Sequence, residues 1–189
     1  MDTTIVLIGP PGAGKTTVAP LLAKRLGRPV IDLDTERWAY YAEIGYRHDH
    51  AQWLVEEQGL EALIAYWKPF ELYAVERVLS DHTGSIIAFG AGHSVYDDAT
   101  QFARVHSRLA RCQHVVLIMP TPDRAQAIQH LNARLPIDDP HRDALMRIHD
   151  QLITNHSNED LATITVYTEG KTPEDTCEDI LHQMGAGVP

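Results

Sequence analysis

The most chemically informative stretch of the sequence is a glycine-rich turn between an apolar run, residues 4–8, and a segment whose apolar residues recur at helical spacing. The turn reads Gly9, Pro10, Pro11, Gly12, Ala13, Gly14, Lys15, Thr16, Thr17. Glycines let successive backbone N–H groups turn towards one anion, and the helix that follows adds the positive end of its dipole. Lys15 is then expected to reach the outer phosphates of a nucleotide, and the Thr16 hydroxyl to ligate Mg²⁺. A plain turn needs neither group, so the spacing predicts a phosphate-binding loop.

Two aspartates come at the end of the next predicted strand, residues 30–34. Strand alternation would place Asp32 and Asp34 on the same side. Phosphoryl transfer needs a carboxylate for the metal and a group that orients the acceptor hydroxyl and takes its proton. We assign Asp32 to the metal, because it is nearer the strand body, and Asp34 to the acceptor hydroxyl. Alternatively, the pair only caps the next helix, a role that Asp34 followed by Thr35 would also serve.

Two further polar stretches are candidates for the same site. A predicted strand at residues 85–89 runs into a second glycine-rich turn, which reads Gly90, Ala91, Gly92, His93. His93 is positioned to touch the acceptor if it is not simply a residue of a surface loop. Between Asn132 and His141 the chain becomes polar and proline-rich, which indicates either a mobile lid or a helix stop followed by a helix start.

Predicted strands alternate with predicted helices along the whole chain. The remaining strands are expected at residues 115–119 and 163–167, and a region at about 35–80 is expected to be mostly helical, with breaks at residues 45–50 and at Gly59. Such alternation predicts an α/β fold with a parallel sheet and helices on both faces. Ligands in these folds bind outside the carboxyl ends of the strands, where the two glycine-rich turns and the aspartates would meet. We expect one domain, residues 1–189.

Composition excludes several other classes of protein. The 189 residues include 26 acidic and 16 basic ones, an excess of negative charge that argues against binding to nucleic acid or to an anionic membrane. The two cysteines, Cys112 and Cys177, lack the spacing of a disulfide framework or a zinc site. The sequence begins without a basic segment ahead of an apolar one, and no apolar stretch approaches membrane-spanning length. We expect a cytoplasmic monomer or homodimer.

Neither the third nor the fourth predicted strand ends in an apolar run followed by aspartate. The third ends in Ala88, Phe89, Gly90 and the fourth in Met119, Pro120. That absence argues against a mechanical or signalling NTPase.

Taken together, these motifs resemble the shikimate kinase family of P-loop kinases. The resemblance rests on the N-terminal phosphate loop, Asp-x-Asp at the second strand, the glycine turn after the third strand and the Arg134-Leu135-Pro136 sequence of the lid. It implies a three-layer fold with a five-stranded parallel sheet, and ATP with Mg²⁺ as phosphoryl donor. It also implies that Gly90 and Gly92 lie beside the acceptor and that Arg134 closes over the phosphates, where a planar guanidinium neutralises charge on the transferring group.

The sequence departs from the family pattern mainly on the acceptor side. Ala91 replaces the middle glycine of the turn, and the two regions in which the family carries arginines for the acceptor's carboxylate, residues 69–72 and 154–157, contain none here. Since a buried carboxylate without a cationic partner is costly, we expect a neutral or cationic hydroxylated molecule such as a polyol, cyclitol, sugar or nucleoside.

Two alternatives remain open from the sequence. A nucleoside monophosphate kinase has a similar phosphate loop, but it needs several arginines for the acceptor phosphate, whereas this lid has one. A nucleotide-binding regulatory protein without an acceptor is the other alternative, against which Asp34 argues.

Overall fold

The computed structural model describes residues 3–185, so residues 1–2 and 186–189 of the predicted domain lie outside the described part. Five strands form a single parallel sheet with the order β2-β3-β1-β4-β5. The strands are β1 (Ile5–Ile8), β2 (Val30–Asp32), β3 (Ile86–Ala88), β4 (His114–Met119) and β5 (Ile164–Tyr167). The helices are α1 (Lys15–Leu26), α2 (Leu33–Glu43), α3 (His48–Gln58), α4 (Leu60–Asp81), α5 (Ala99–Leu109), α6 (Arg124–Asn132), α7 (Arg142–Thr154), α8 (Ser157–Leu161) and α9 (Pro173–Gln183), with a short 3₁₀ helix at Ala91–Ser94. The predicted three-layer α/β fold with a five-stranded parallel sheet is confirmed.

The sheet is buried on both faces because successive side chains of its strands point in opposite directions. Ile5 and Leu7 of β1 pack in one apolar cluster with residues of α1 and α9. Val6 and Ile8 pack in the other cluster, which includes residues of α4, α5 and α6. Helices therefore cover both faces, and the carboxyl ends of the strands meet along one edge.

Several boundaries differ from the sequence-based expectations. Strand β2 ends at Asp32, and not at Asp34, because the chain turns directly into α2 at Leu33. The segment after residue 141 forms α7 and, beyond a short break, the short α8. The final helix begins with a capping box in which the side chains of Thr172 and Asp175 each accept the other's backbone N–H.

The helical region between β2 and β3 consists of α2, α3 and α4, with breaks at the two predicted places. Its aromatic side chains pack mostly on one another, with Tyr46 at ring-centroid distances of 5.2 to 5.5 Å from Tyr41, Tyr66 and Phe70. This packing joins α2 to α4 and fixes the wall that α4 presents to the carboxyl edge of the sheet. No helix among residues 3–185 combines the length and apolar character that a membrane span requires.

Candidate active site

The glycine-rich turn has the geometry of a phosphate-binding loop. Gly14, the residue before α1, has φ = 100°, a conformation that side chains other than glycine rarely adopt. The Lys15 ammonium lies inside the loop, where it donates to the carbonyl oxygens of Gly9 at 2.8 Å and Pro10 at 2.9 Å. An ammonium has three N–H donors, so one remains for a ligand.

Lys15 is almost completely buried, with 7% of its surface exposed. Burial lowers the pKa of its ammonium to about 8, although the nearby carboxylates of Asp34 and Asp32 act in the opposite direction. The two carboxylates do not offset the cost of burying this ammonium, and the negative charge of a polyphosphate would stabilise it. The loop therefore fits the phosphates of a nucleotide.

Thr16 and Thr17 lie on the wall of the same cavity as Lys15. Among residues 3–185 no three or more His, Cys, Asp or Glu side chains form a group that could hold a metal. Mg²⁺ bound with phosphates usually takes only one or two protein ligands, together with phosphate oxygens and water. Of the two predicted Mg²⁺ ligands, Thr16 lines the cavity, whereas Asp32 is not among its lining residues and acts on Lys15 electrostatically.

The two aspartates have different local structures. Asp32 is the N-cap of α2, and its carboxylate accepts the backbone N–H of Asp34 at 3.0 Å. Asp34 belongs to the first turn of α2 and lines the cavity. The strand alternation used to place both on one side is therefore wrong, and the capping role falls to Asp32 instead of Asp34. Asp34 lies near enough to Lys15 to act on it electrostatically, because α2 begins directly at the carboxyl end of β2.

The second glycine turn forms the opposite wall. A Cβ atom at Gly90 would lie 2.8 Å from the Cγ of Asp34, and one at Gly92 would lie 2.8 Å from the Cδ of Glu71. Both distances are shorter than carbon atoms tolerate, so each glycine makes room for a carboxyl group. The turn thus fixes where the Asp34 and Glu71 carboxylates lie.

Of the four residues predicted to contact the acceptor at this turn, Ala91 and Gly92 line the cavity, whereas Gly90 and His93 lie behind its wall. His93 has no exposed surface, so it is neither in contact with the cavity nor a surface loop residue. Burial lowers the pKa of His93 to about 3; the nearby Asp34 carboxylate acts in the opposite direction, and Arg37 and Lys68 add smaller lowering effects. The imidazole is therefore neutral at physiological pH.

The expectation that the acceptor side lacks cations is wrong. Arg37 and Lys68 both line the cavity, and sequence reasoning missed both. Each lies about one helical turn from an acidic residue. Arg37 comes three residues after Asp34, and Lys68 comes three residues before Glu71. This spacing was the signal that could have found them.

Both cations are already engaged within the protein. The Nη1 atom of Arg37 is 3.3 Å from Asp34 Oδ1, and its guanidinium lies over the rings of Trp38 and Trp67 at 4.4 and 5.0 Å. The Lys68 ammonium donates to Glu71 Oε2 at 2.7 Å and to the carbonyl oxygens of Gly92 and Val95, each at 2.9 Å. Those three bonds use all the N–H donors of Lys68.

The predicted lid lies in the loop between α6 and α7, where one helix ends and the next begins. Arg134 donates a hydrogen bond from Nη1 to the carbonyl oxygen of Gly12 in the phosphate loop. Arg142 holds the other end of the segment by donating to the Leu135 carbonyl at 2.7 Å. The tertiary fold therefore brings Arg134 to the phosphate loop across 122 positions of the chain.

One cavity of about 870 Å³ is lined by residues of the phosphate loop and of the second glycine turn, and by Asp34, Arg37, Lys68 and Glu71; Arg134 is not among its lining residues. At the far side lie residues of α4 and α7, and beside them Asp97, whose Oδ1 accepts from Asn155 at 2.8 Å. A phosphate site and a carboxylate that can accept a hydroxyl proton thus line the same cavity, which is the arrangement that phosphoryl transfer to an alcohol needs.

Comparisons with known proteins agree with this geometry. The family model of shikimate kinase matches residues 11–185. The shikimate kinase of Thermobifida fusca is 33% identical to the chain, over 96% of the chain and 94% of that protein. The shikimate kinase of Streptomyces coelicolor is 32% identical, over 94% and 92%.

Solved structures show the same fold. Shikimate kinase from Acinetobacter baumannii in complex with shikimate superimposes with a TM-score of 0.63 and 24% identity, over 98% of this chain and 94% of that one. A gluconokinase from Sinorhizobium meliloti has a TM-score of 0.58 and 14% identity, over 98% and 93%. Because the family model matches residues 11–185 of the 189, the chain belongs to the shikimate kinase family of ATP-dependent small-molecule kinases.

Proposed function

We propose that the protein transfers the γ-phosphoryl group of ATP to a hydroxyl of a neutral or cationic small molecule. The observation that carries this proposal is the presence of Lys15, in the phosphate loop, and Asp34 on the walls of one cavity. A nucleotide-binding regulatory protein would have no use for a carboxylate placed beside its phosphate site.

Each residue of the site has a task in this reaction. Lys15 and the backbone N–H groups of residues 9–17 hold the donor phosphates, while Thr16 and Asp32 are the ligands for Mg²⁺, which neutralises charge on the phosphates when it is bound. Asp34 orients the acceptor hydroxyl and accepts its proton. Arg134, beside the Gly12 carbonyl, supplies a planar cation for the charge on the transferring group.

Charge pairing supports a neutral or cationic acceptor even though cations line the cavity. Arg37 is paired with Asp34 and Lys68 with Glu71, so neither cation is left uncompensated for an anionic substituent. Asp97 adds a further negative charge to the cavity wall and accepts its hydrogen bond from the uncharged Asn155. A carboxylate on the acceptor would have to compete with Asp34 or Glu71 for its partner.

The test is acceptor-dependent ADP release, measured with acceptors that differ in charge. Glucose, glucosamine and gluconate form a matched set of neutral, cationic and anionic polyols, to which myo-inositol, nucleosides and shikimate, the acceptor named for the relatives, are added. We expect kcat/KM to be higher for neutral or cationic compounds than for gluconate and shikimate. A shikimate value tenfold above every uncharged acceptor would overturn the proposed class, and strong stimulation by a nucleoside monophosphate would favour a nucleotide kinase.

A further inference from the structure

The cavity extends well past the groups that perform the proposed transfer. Six aliphatic side chains line its far end, three from the first turns of α4 and three from α7. They are Leu60, Leu63, Ile64, Leu145, Ile148 and Leu152, and we call this end the apolar compartment. None of the reaction steps assigned above uses it.

The stripe that α4 presents to the cavity changes in character along the helix. It begins with the apolar Leu60 and Ile64, continues through Trp67 and ends with the charged Lys68 and Glu71. Helix α7 shows a weaker form of the same change, since Leu145 and Ile148 come first and the polar Gln151 and Thr154 come later, on either side of Leu152. Both helices therefore give the cavity an apolar end and a polar end.

The spacing along α4 gives the distance between the two ends. Eight residues separate Leu60 from Lys68, which corresponds to about 12 Å along a helix. An acceptor whose hydroxyl lies at Asp34 would reach the apolar compartment only with a substituent several carbon atoms long. Trp67 lies at the boundary, with its indole N–H held by Tyr46 Oη at 3.0 Å.

An exposed ion pair joins the two helices that carry the compartment. Arg147 of α7 donates to Glu61 of α4 at 2.8 Å. Leu63 and Ile148 are buried, but Leu60, Ile64, Leu145 and Leu152 retain part of their surface. Apolar surface left exposed on the wall of a cavity gains free energy when an apolar group covers it.

We propose that the apolar compartment binds an aliphatic or aromatic substituent of the acceptor, so that the substrate is a hydroxylated molecule with an apolar portion. That the ligand is an acceptor rests on the proposed kinase function. The existence of the apolar subsite itself is independent of turnover and is tested by binding.

The probes are methyl and hexyl β-glucoside, which share one neutral polyol and differ by five methylenes. Their affinities are measured by isothermal titration calorimetry without ATP, below the concentration at which the hexyl compound forms micelles. Each methylene that is fully buried improves affinity about fourfold, so half burial of the tail predicts about a thirtyfold gain for the hexyl compound. Equal affinities, or no binding of the hexyl compound, would overturn the inference.

Substitutions on α4 and α7 test whether the gain in affinity of the hexyl compound arises in the apolar compartment. Ile64→Ser and Leu152→Ser should each remove most of the difference between the two glucosides while leaving ATP affinity unchanged. Ile44→Ser is the matched control, because Ile44 is 41% exposed and does not line the cavity. A tail-dependent gain that survives both cavity substitutions would place the tail elsewhere and refute the apolar compartment as its site. Loss of acceptor turnover with an intact gain in binding would instead refute the kinase function and leave the subsite standing.

Discussion

Gly90 offers the sharpest test of the role of Asp34, because a methyl group at this position would press directly on the proposed base. The backbone of Gly90, with φ = −64° and ψ = 155°, is open to any residue, so Gly90→Ala brings no backbone strain. Its Cβ would lie 2.8 Å from both Asp34 Cγ and His93 Nδ1. Carbon atoms pack at about 3.5 to 4.0 Å, so the carboxyl group must move by about 1 Å.

A displacement of this size has a predictable effect on catalysis. A misplacement of about 1 Å in a reacting group can lower the rate about 10²-fold. We therefore expect Gly90→Ala to lower kcat by about 10² with little change in the affinity for ATP, since the phosphate loop is not touched. Overpacking costs about 1–3 kcal/mol of stability, so the variant should remain folded.

The assay is ADP release at saturating acceptor, together with ATP binding by calorimetry and a thermal unfolding curve. Gly92→Ala is a matched variant on the same turn, since its methyl would press on Glu71 and not on Asp34, and we expect it to change acceptor KM more than kcat. In an Asp34→Asn background, Gly90→Ala should cost little more, because the group on which it acts is already disabled. A kcat within threefold of wild type, or full additivity with Asp34→Asn, would refute the reasoning.

Three further predictions concern the phosphate end of the cavity. Lys15→Ala should lower turnover by several orders of magnitude, whereas Asp34→Asn should remove transfer and spare ATP affinity; equal loss of ATP affinity in both variants would contradict this division. Arg134→Ala should lower kcat by about 10³, and Arg134→Lys should recover only part of the loss because it lacks the planar fork; full recovery with lysine would speak against that geometry. Because Lys15 is charged below its pKa of about 8 and neutral above it, ATP affinity should fall as pH rises from 7 to 9, by up to about tenfold per unit above 8. Lys15→Met should show no such fall, and an equal fall in that variant would assign the effect to another group.

Some parts of the site were predictable because their structure is set by neighbours in the chain. The phosphate loop is a contiguous segment in which glycine spacing, a lysine and the start of a helix specify one conformation. The order of strands and helices was predictable for the same reason, since each element carries its own periodicity. The end of β2 was misjudged because Asp32 can continue a strand or cap a helix, and the capping bond to Asp34 decided between them.

The acceptor side was less predictable because contacts between distant segments create it. Lys68 lies within a helix, and its place in the site follows from bonds to the carbonyl oxygens of Gly92 and Val95, 24 and 27 positions away. His93 was expected near the acceptor, but it is completely buried, although Ala91 and Gly92 of the same 3₁₀ turn line the cavity.

The sequence by itself therefore determined the fold class, the phosphate loop and Asp34 as a candidate base, because local spacing encodes them. Only the tertiary structure decided that both ion pairs, Arg37 with Asp34 and Lys68 with Glu71, lie on the wall of one cavity, and that α4 and α7 give this cavity an apolar end. Each pair is local in the chain, but its place in the cavity depends on how separate helices pack, and no spacing along one segment of chain records that packing.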